Sequence, residues 1–445
     1  MKHEFNPLIF KAYDVRGKVP SQINKETAFF IGLCLAERIK SGTVCVGYDA
    51  RSHSKLLQQN IIKGLVEMGI NAVDLGLIPT PLCYFSIPFL KADASIMVTG
   101  SHNPPEYNGF KITLKEESLS GKELFQFIET AAKGIKISEK KGEVKTLDIS
   151  ENYTKEALKG LHLSEANLKI GIDGMNGSGG SLLKKICSKL PFNFIFRNCE
   201  MTGDFSSTLP EPSSPENILN LQNFLKEEKL DLVFAFDGDA DRVLLITPQK
   251  VWYGDDITLL LASSILKENK GRNVIFDVKS SIVLEKTIGA LGGIPIIYKT
   301  GHSLIKQKMK EINAVLAGEM SGHIYINDGK FYPFDDGIYC FIRILEYIHK
   351  LEKMPIFETT FKTSEIKIPI QDRQEFLKAF KEKILELKPT KMLEIDGIKA
   401  YFEEKSTILV RASNTEEIII ARVESYEESK FKELQIFLSS FVNKR

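Results

Sequence analysis

Leu232-Val-Phe-Ala-Phe-Asp-Gly-Asp-Ala-Asp-Arg-Val-Leu-Leu-Ile246 sets two apolar runs on either side of three alternating aspartates. Short apolar runs bounded by turn residues read as strands, so the acids sit in a loop pinned between buried chain. Two other runs end in the same way. Ala94-Ser-Ile-Met-Val98 enters Thr99-Gly-Ser-His-Asn-Pro104, and Ala314-Val-Leu-Ala317 enters Gly318-Glu-Met-Ser-Gly-His323. Upstream of each lies a first strand ending in aspartate: Val44-Cys-Val-Gly-Tyr-Asp49, Lys169-Ile-Gly-Ile-Asp173 or Asn273-Val-Ile-Phe-Asp277. A helical pattern follows at 54–68, 181–189 and 281–291, then a second strand at 72–75, 192–196 and 294–298. The order recurs three times with little residue identity. It predicts three similar α/β domains, each presenting a polar loop at the carboxyl end of a strand.

Residues 363–445 have another texture. A strand at 365–370, a helix at 371–387, strands around Gly397 and 408–410, a strand at 418–421 and a helix from Ser429 predict a smaller α+β domain. The expected divisions are 1–147, 148–249, 250–362 and 363–445. No low-complexity linker separates them, so the domains are expected to touch.

The chain of 445 residues carries 59 Lys and Arg against 58 Asp and Glu, a net charge of +1. That balance argues against a nucleic-acid binder working through a basic field, and an anionic ligand must be held by a few placed residues. No apolar run is long enough to span a bilayer, and the first 17 residues lack a signal-peptide core. The six cysteines stand singly, which suggests neither a zinc cage nor a disulfide framework; the expected compartment is the cytoplasm.

The chemistry resides in the loops. Asp237, Asp239 and Asp241 can turn toward one point if a hard divalent cation sits there, and no helical twelfth-position Glu follows to make an EF-hand. Ser101 lies on a Gly-preceded turn directly after a strand, where a hydroxyl faces a cleft; no GxSxG elbow surrounds it, and its neighbour His102 is not expected to point with it. Glu319 and Ser321, between two glycines, with His323 after the second, suit sugar hydroxyls. Arg411-Ala-Ser-Asn-Thr415 offers a guanidinium fork, two hydroxyls and an amide for a phosphate.

Together with Phe10-Lys-Ala-Tyr-Asp-Val-Arg-Gly17, these loops make five motifs in order, and the chain resembles the α-D-phosphohexomutase family, most closely its phosphomannomutase/phosphoglucomutase branch. The resemblance implies three α/β domains with mixed sheets and a C-terminal α+β domain around one central cleft. It implies interconversion of hexose 1-phosphate and hexose 6-phosphate, of mannose or glucose, through a phosphoserine enzyme and a hexose 1,6-bisphosphate. Ser101 matches the phosphorylated serine; Asp237, Asp239 and Asp241 match the ligands of one Mg²⁺, with the phosphoserine supplying a further oxygen. Glu319 and Ser321 match sugar-binding residues, and Arg411, Ser413, Asn414 and Thr415 match the loop for the non-reacting phosphate. Tyr13, Arg16, Lys111, Arg242, Lys279, His302 and His323 match cleft positions. Among these, Arg242 is placed to neutralise the moving phosphoryl group, and Lys111 and His323 are the unranked candidates for the base. Glucose or mannose 1,6-bisphosphate is the implied activator, and sugar phosphates are the only partners implied; the oligomeric state stays open, a monomer being compatible.

Two positions depart from the family pattern. Ala240 stands where a second Gly is commoner, and cation binding should survive if that residue keeps a negative φ. Glu417 stands where Pro is common and places negative charge near the phosphate loop. A phosphatase of the haloacid-dehalogenase type, using Asp237 as nucleophile, would not need Ser101, and a sugar-phosphate sensor would not need serine and aspartates together. Met320 points away from a phosphoglucosamine mutase.

Overall fold

Each of the three sequence repeats folds into the same four-strand arrangement. The computed structural model describes residues 1–11, 14–115, 121–164, 167–203, 205, 208–351, 354–413 and 417–443. The first domain contains β1 (Val15–Lys18), β2 (Thr43–Tyr48), β3 (Asn71–Leu77), β4 (Ala94–Val98), β5 (Tyr107–Leu114) and β6 (Val144–Thr146). The second contains β7 (Lys169–Asp173), β8 (Asn193–Arg197), β9 (Leu232–Phe236), β10 (Val243–Ile246) and β11 (Val251–Trp252). The third contains β12 (Asn273–Asp277), β13 (Ile294–Tyr298), β14 (Leu316–Gly318) and β15 (Ile324–Ile326).

Spatial orders β3-β2-β4-β5, β8-β7-β9-β10 and β13-β12-β14-β15 superpose term by term. In every copy the first three strands are parallel and the fourth returns antiparallel. Helices cross between the parallel strands, as such connections require. They are Ser54–Glu67 and Thr80–Leu90, Gly180–Cys187 and Pro215–Glu227, Val283–Ala290 and His302–Ile312. Each polar loop singled out above therefore joins the antiparallel pair at one end of its sheet.

The fourth domain contains β16 (Phe361–Lys362), β17 (Ile366–Pro369), β18 (Lys391–Leu393), β19 (Ile398–Phe402), β20 (Ser406–Ala412) and β21 (Ile418–Ser425), all antiparallel, with helices Arg373–Leu385 and Glu428–Val442. Asp372 caps the first of these helices by accepting from Gln374 N and Glu375 N, which fixes its start two residues after the expected one.

Packing divides differently from topology. One apolar core runs without a break from Cys45, Leu82 and Phe85 through Ile170, Phe234 and Phe236 to Phe276, Leu316 and Phe341, joining three domains. A second lies on the other face of the first sheet, and a separate one (Phe376, Phe380, Ile408, Val423, Leu434) belongs to the fourth domain alone. Backbone pairing reinforces the first core: Arg242 bridges His323, Val243 N donates to Gly322 O at 3.2 Å, and Thr80 N donates to Asp239 O at 2.9 Å. The fourth domain attaches by polar side chains. Lys399 Nζ donates to Val278 O (2.9 Å) and Ser280 O (3.1 Å), and Glu424 accepts from Ile282 N (3.1 Å), Ser281 Oγ and Thr360 Oγ1 (2.6 Å). Among the described residues no helix is long and apolar enough to cross a membrane.

Gly254, which opens helix Gly254–Ile265, is pressed against the β14–β15 loop, and a Cβ there would lie 1.9 Å from Glu319 O and 2.7 Å from Gly322 N. Both contacts are backbone, so the loop itself would have to move. Gly254→Ala should destabilise the chain by about 1–3 kcal/mol, as overpacking does, and lower the melting temperature measured by circular dichroism. A melting curve superposing on that of the unsubstituted chain would show that the loop yields freely.

Candidate active site

The loop after β4 turns sharply because Ser101 takes a left-handed φ of 49°, uncommon for a residue with a side chain. Local bonds hold it there. Ser101 N donates to Thr99 Oγ1 (2.8 Å), and Asp49 accepts from Thr99 Oγ1 (2.8 Å) and Gly100 N (3.1 Å). Arg51 laces the loop from beneath, donating to the carbonyls of Ser101 (2.8 Å), Asn103 (2.6 Å), Pro104 (2.6 Å) and Tyr107 (3.1 Å) while Asp49 holds its Nε at 3.2 Å. The result is a serine hydroxyl that is buried yet faces another domain: Ser101 Oγ donates to Asp237 Oδ2 at 2.9 Å. Gly238 makes the approach possible, since a Cβ there would sit 2.5 Å from Ser101 O. Contrary to expectation, His102 does point with Ser101, its Nδ1 3.2 Å from Oγ. Burial, followed by the charges of Arg242 and Arg16, holds the His102 ring well below the usual histidine range.

Asp237, Asp239 and Asp241 are fully buried, and one oxygen from each lies within 4.8 Å of the others. Burial, and then the charges of Asp239 and Asp241, pushes the Asp237 carboxyl well above its ordinary range. Burial would raise Asp239 too, but Lys111 and the Thr80 hydroxyl keep it below that range. Lys111 Nζ reaches across from β5 to Asp239 Oδ2 (2.6 Å) and Asp241 Oδ2 (2.5 Å). Asp239 Oδ1 and Asp241 Oδ1 have no hydrogen-bond partner among the described residues. Buried carboxylate oxygens left without a donor are what a hard cation requires, so the donor set fits a metal ion. Ala240 does not keep a negative φ: it stands at 58°, the conformation for which Gly is the strain-free residue. The Ala side chain therefore holds a left-handed turn at a cost of about 1–2 kcal/mol, and the three aspartates keep their places.

Arg242 lies at the junction of three loops. Its N donates to Asp237 Oδ1 (3.2 Å), its Nε to His323 Nε2 (2.9 Å) and its Nη1 to Glu211 Oε2 (3.4 Å). Glu211 also lies 3.8 Å from His102 Nε2. Glu319 is buried, accepts from Ser321 Oγ (3.5 Å) and Tyr325 OH (3.4 Å), and is raised above the usual range by burial. His302 sits beside His323, ring centroids 5.8 Å apart.

The remaining expected residues fall around this centre. Arg16 on β1 donates to Asn103 Oδ1 (2.5 Å) and to Asp14. Lys279 pairs with Glu365 of the fourth domain at 3.0 Å. Arg411 on β20 forks onto Asp396, Nε to Oδ2 and Nη2 to Oδ1 both at 3.2 Å, and Asp396 also accepts from Thr300 N (3.1 Å). Ser413 follows it, its N donating to Ile418 O (3.0 Å). Tyr13, Asn414 and Thr415 lie outside the described residues. The sequence reading missed Asp49, Arg51, Glu211, Asp335 and Asp396. The aspartate ending each first strand was visible, but nothing in its spacing told which loop it would hold.

Matches to four family models cover the chain in order. They are phosphoglucomutase/phosphomannomutase alpha/beta/alpha domain I over residues 7–138, domain II over 151–250, domain III over 253–361, and the C-terminal domain over 365–438. The phosphomannomutase/phosphoglucomutase of Pseudomonas putida is 36% identical over 438 residues, 96% of this chain and 94% of that one. A phosphoglucomutase of Neisseria gonorrhoeae is 34% identical over 96% of this chain and 95% of its own. A phosphoglucomutase/phosphomannomutase family structure from Burkholderia thailandensis superposes with a TM-score of 0.89 at 29% identity, covering 99% of this chain and 98% of that one. With the order of its domains, the repeated strand topology and these matches in agreement, the chain belongs to the phosphoglucomutase/phosphomannomutase family.

Proposed function

We propose that the protein is a phosphohexomutase that interconverts the 1- and 6-phosphates of mannose or glucose through phospho-Ser101. The observation that carries this reading is the 2.9 Å contact between the Ser101 hydroxyl and Asp237, a nucleophile and a triple-carboxylate loop brought together from two domains. Asp237, Asp239 and Asp241 would hold one Mg²⁺ together with a phosphoserine oxygen. Bound there, Mg²⁺ supplies charge neutralisation for the transferring group.

The chain's own residues do the rest. Phosphorylation gives Ser101 a charge of about −1.5 to −2, and Arg242 lies beside the Asp237 that Ser101 touches. Transfer breaks the Ser101 Oγ–P bond and forms a P–O bond to the free sugar hydroxyl, whose proton must leave. Lys111 and His323 are the two candidates to take it, Lys111 Nζ being held by Asp239 and Asp241 and His323 Nε2 accepting from Arg242. Glu319 and Ser321 take the sugar hydroxyls. Arg411, Ser413, Asn414 and Thr415 hold the phosphate that is not reacting, with Tyr13, Arg16, Lys279 and His302 lining the path between. The bisphosphate then turns over and returns its other phosphate to Ser101, so glucose or mannose 1,6-bisphosphate serves as activator. Units 1–147, 148–249, 250–362 and 363–445 each contribute one loop. The six thiols are all buried and unpaired, as in a reducing compartment, and the cytoplasm is the location proposed.

Intact-mass analysis of active enzyme should show one added phosphate, absent in Ser101→Ala. Label recovered on Asp237 would instead support the phosphatase chemistry.

Asp239→Asn removes one charge from the carboxylate set while keeping its shape. Mg²⁺ affinity by titration calorimetry and turnover should fall together, and excess EDTA should abolish wild-type activity. Undiminished activity in EDTA would contradict the cation site.

Arg411→Lys loses the fork that Asp396 now aligns. Weakening a charge-assisted contact is worth about 1.5–3 kcal/mol, or one to two powers of ten in kcat/KM. Wild-type kcat/KM on both hexose 1-phosphates would remove this loop from the phosphate site.

A further inference from the structure

Asp277, the last residue of β12, is fully buried, and three bonds converge on its carboxylate. Oδ1 accepts from Ser280 Oγ at 2.6 Å and from Met320 N at 3.2 Å, and Oδ2 accepts from Thr300 Oγ1 at 3.1 Å. The three partners belong to three segments that the mutase reading places around the sugar phosphate. Ser280 follows Lys279, Thr300 leads into His302, and Met320 lies between Glu319 and Ser321. Thr300 carries the connection further, its N donating at 3.1 Å to the Asp396 on which Arg411 forks. One carboxylate thus stands between the loop for sugar hydroxyls and the loop for the resting phosphate.

The first domain uses the same device. Tyr48 pairs with Val98 as Phe276 pairs with Gly318, so Asp49 and Asp277 are equivalent positions, and Gly100 and Met320 are too. Asp49 accepts from Gly100 N at 3.1 Å, as Asp277 does from Met320 N. The same bond shapes the loop of Ser101 in one repeat and the loop of Glu319 in another. Asp173 of the second domain holds a different turn, accepting from Met175 N at 3.0 Å.

We propose that Asp277 is a positioning residue of substrate binding: it sets the spacing between Glu319 and Ser321, which take the sugar hydroxyls, and the Thr300–Asp396–Arg411 path to the resting phosphate. The proposal rests on the mutase reading given above. Contacts to hydroxyls and to the resting phosphate are made alike before and during transfer, so a wrong spacing should raise KM and leave kcat. A merely destabilised enzyme has fewer active molecules, which lowers apparent kcat at unchanged KM.

The test is a coupled hexose 1-phosphate assay of the full-length enzyme carrying Asp277→Leu or Asp277→Asn. Leu offers no acceptor and strands the Met320 N–H, so KM should rise about 5- to 100-fold, with kcat changed by less than about threefold. Asn keeps an oxygen for Met320 N, and its amide donates to the Thr300 hydroxyl, which accepts as well as donates. KM should then stay within about threefold of wild type. Asn also lacks the charge, so its recovery assigns the effect to the hydrogen bonds. A fall in kcat at unchanged KM in Asp277→Leu, or an equal rise in KM in both variants, overturns the proposal. Thr300→Val removes the hydroxyl that meets Oδ2 and keeps the N–H for Asp396. It should raise KM about 3- to 10-fold and add nothing in Asp277→Leu, because residues acting as one unit are not additive; full additivity overturns the proposal. Should circular dichroism show Asp277→Leu unfolded, Thr300→Val decides alone, and a wild-type KM in it overturns the proposal. Titration calorimetry of glucose 1-phosphate into Ser101→Ala reads binding without turnover. Adding Asp277→Leu should weaken it by the factor seen in KM, and unchanged affinity overturns the proposal. If wild type lacks mutase activity, the mutase reading fails while this titration still decides for Asp277; no binding by either protein overturns both.

Discussion

Three carboxylates buried within a few ångströms of one another repel strongly in a medium of low dielectric. The site depends on how that repulsion is met. Lys111 comes from the first domain to touch Asp239 and Asp241, and Arg242 lies beside Asp237 with its Nε donating to His323 of the third domain. Burying such charges is costly, and pairs of this kind are often no more stabilising than apolar side chains of equal volume. Their retention here has a reason other than stability: the loop closes on its charges only when three domains are assembled around it. Charge balance in one loop thus sets the relative placement of Ser101, Asp237 and Glu319.

Much of this was legible in sequence. The strands at 94–98, 169–173, 232–236, 273–277 and 294–298 match the observed bounds, because short apolar runs ending in polar turns leave little freedom. The β14 strand begins two residues later than read, because its register with both neighbouring strands starts at Leu316. Helix Lys25–Ile39 escaped notice because burial reaches most of its circumference and erases the 3.6-residue pattern. Ser101 and the aspartates could be read because their residue types and spacing carry the chemistry. Arg51 and Asp396 could not: each acts on residues distant in sequence, and an isolated Arg or Asp has no local signature.

The two left-handed residues tell the same story at smaller scale. Ser101 and Ala240 occupy corresponding turns, each just beyond the third strand of its repeat, and both are buried. A sequence shows that Ala replaces Gly; it does not show that the turn keeps its shape. Strain of this size persists where surroundings overdetermine the backbone. Around Ser101 the bonds from Arg51 and Asp49 do so, and around Ala240 close packing against Gly179 does.

The division of the apolar cores has a thermodynamic corollary. Three domains share one continuous interior, so they should melt as a single cooperative unit. The fourth domain has its own interior and meets the others through Lys399, Glu424, Glu365 and Asp396. It can therefore lose structure at a lower free energy, a partial unfolding of the kind seen by hydrogen exchange. The loop around Arg411 would be surrendered first, while Ser101 and its aspartates remained assembled. Heat or denaturant would then deprive the molecule of one phosphate subsite well before its reactive centre came apart.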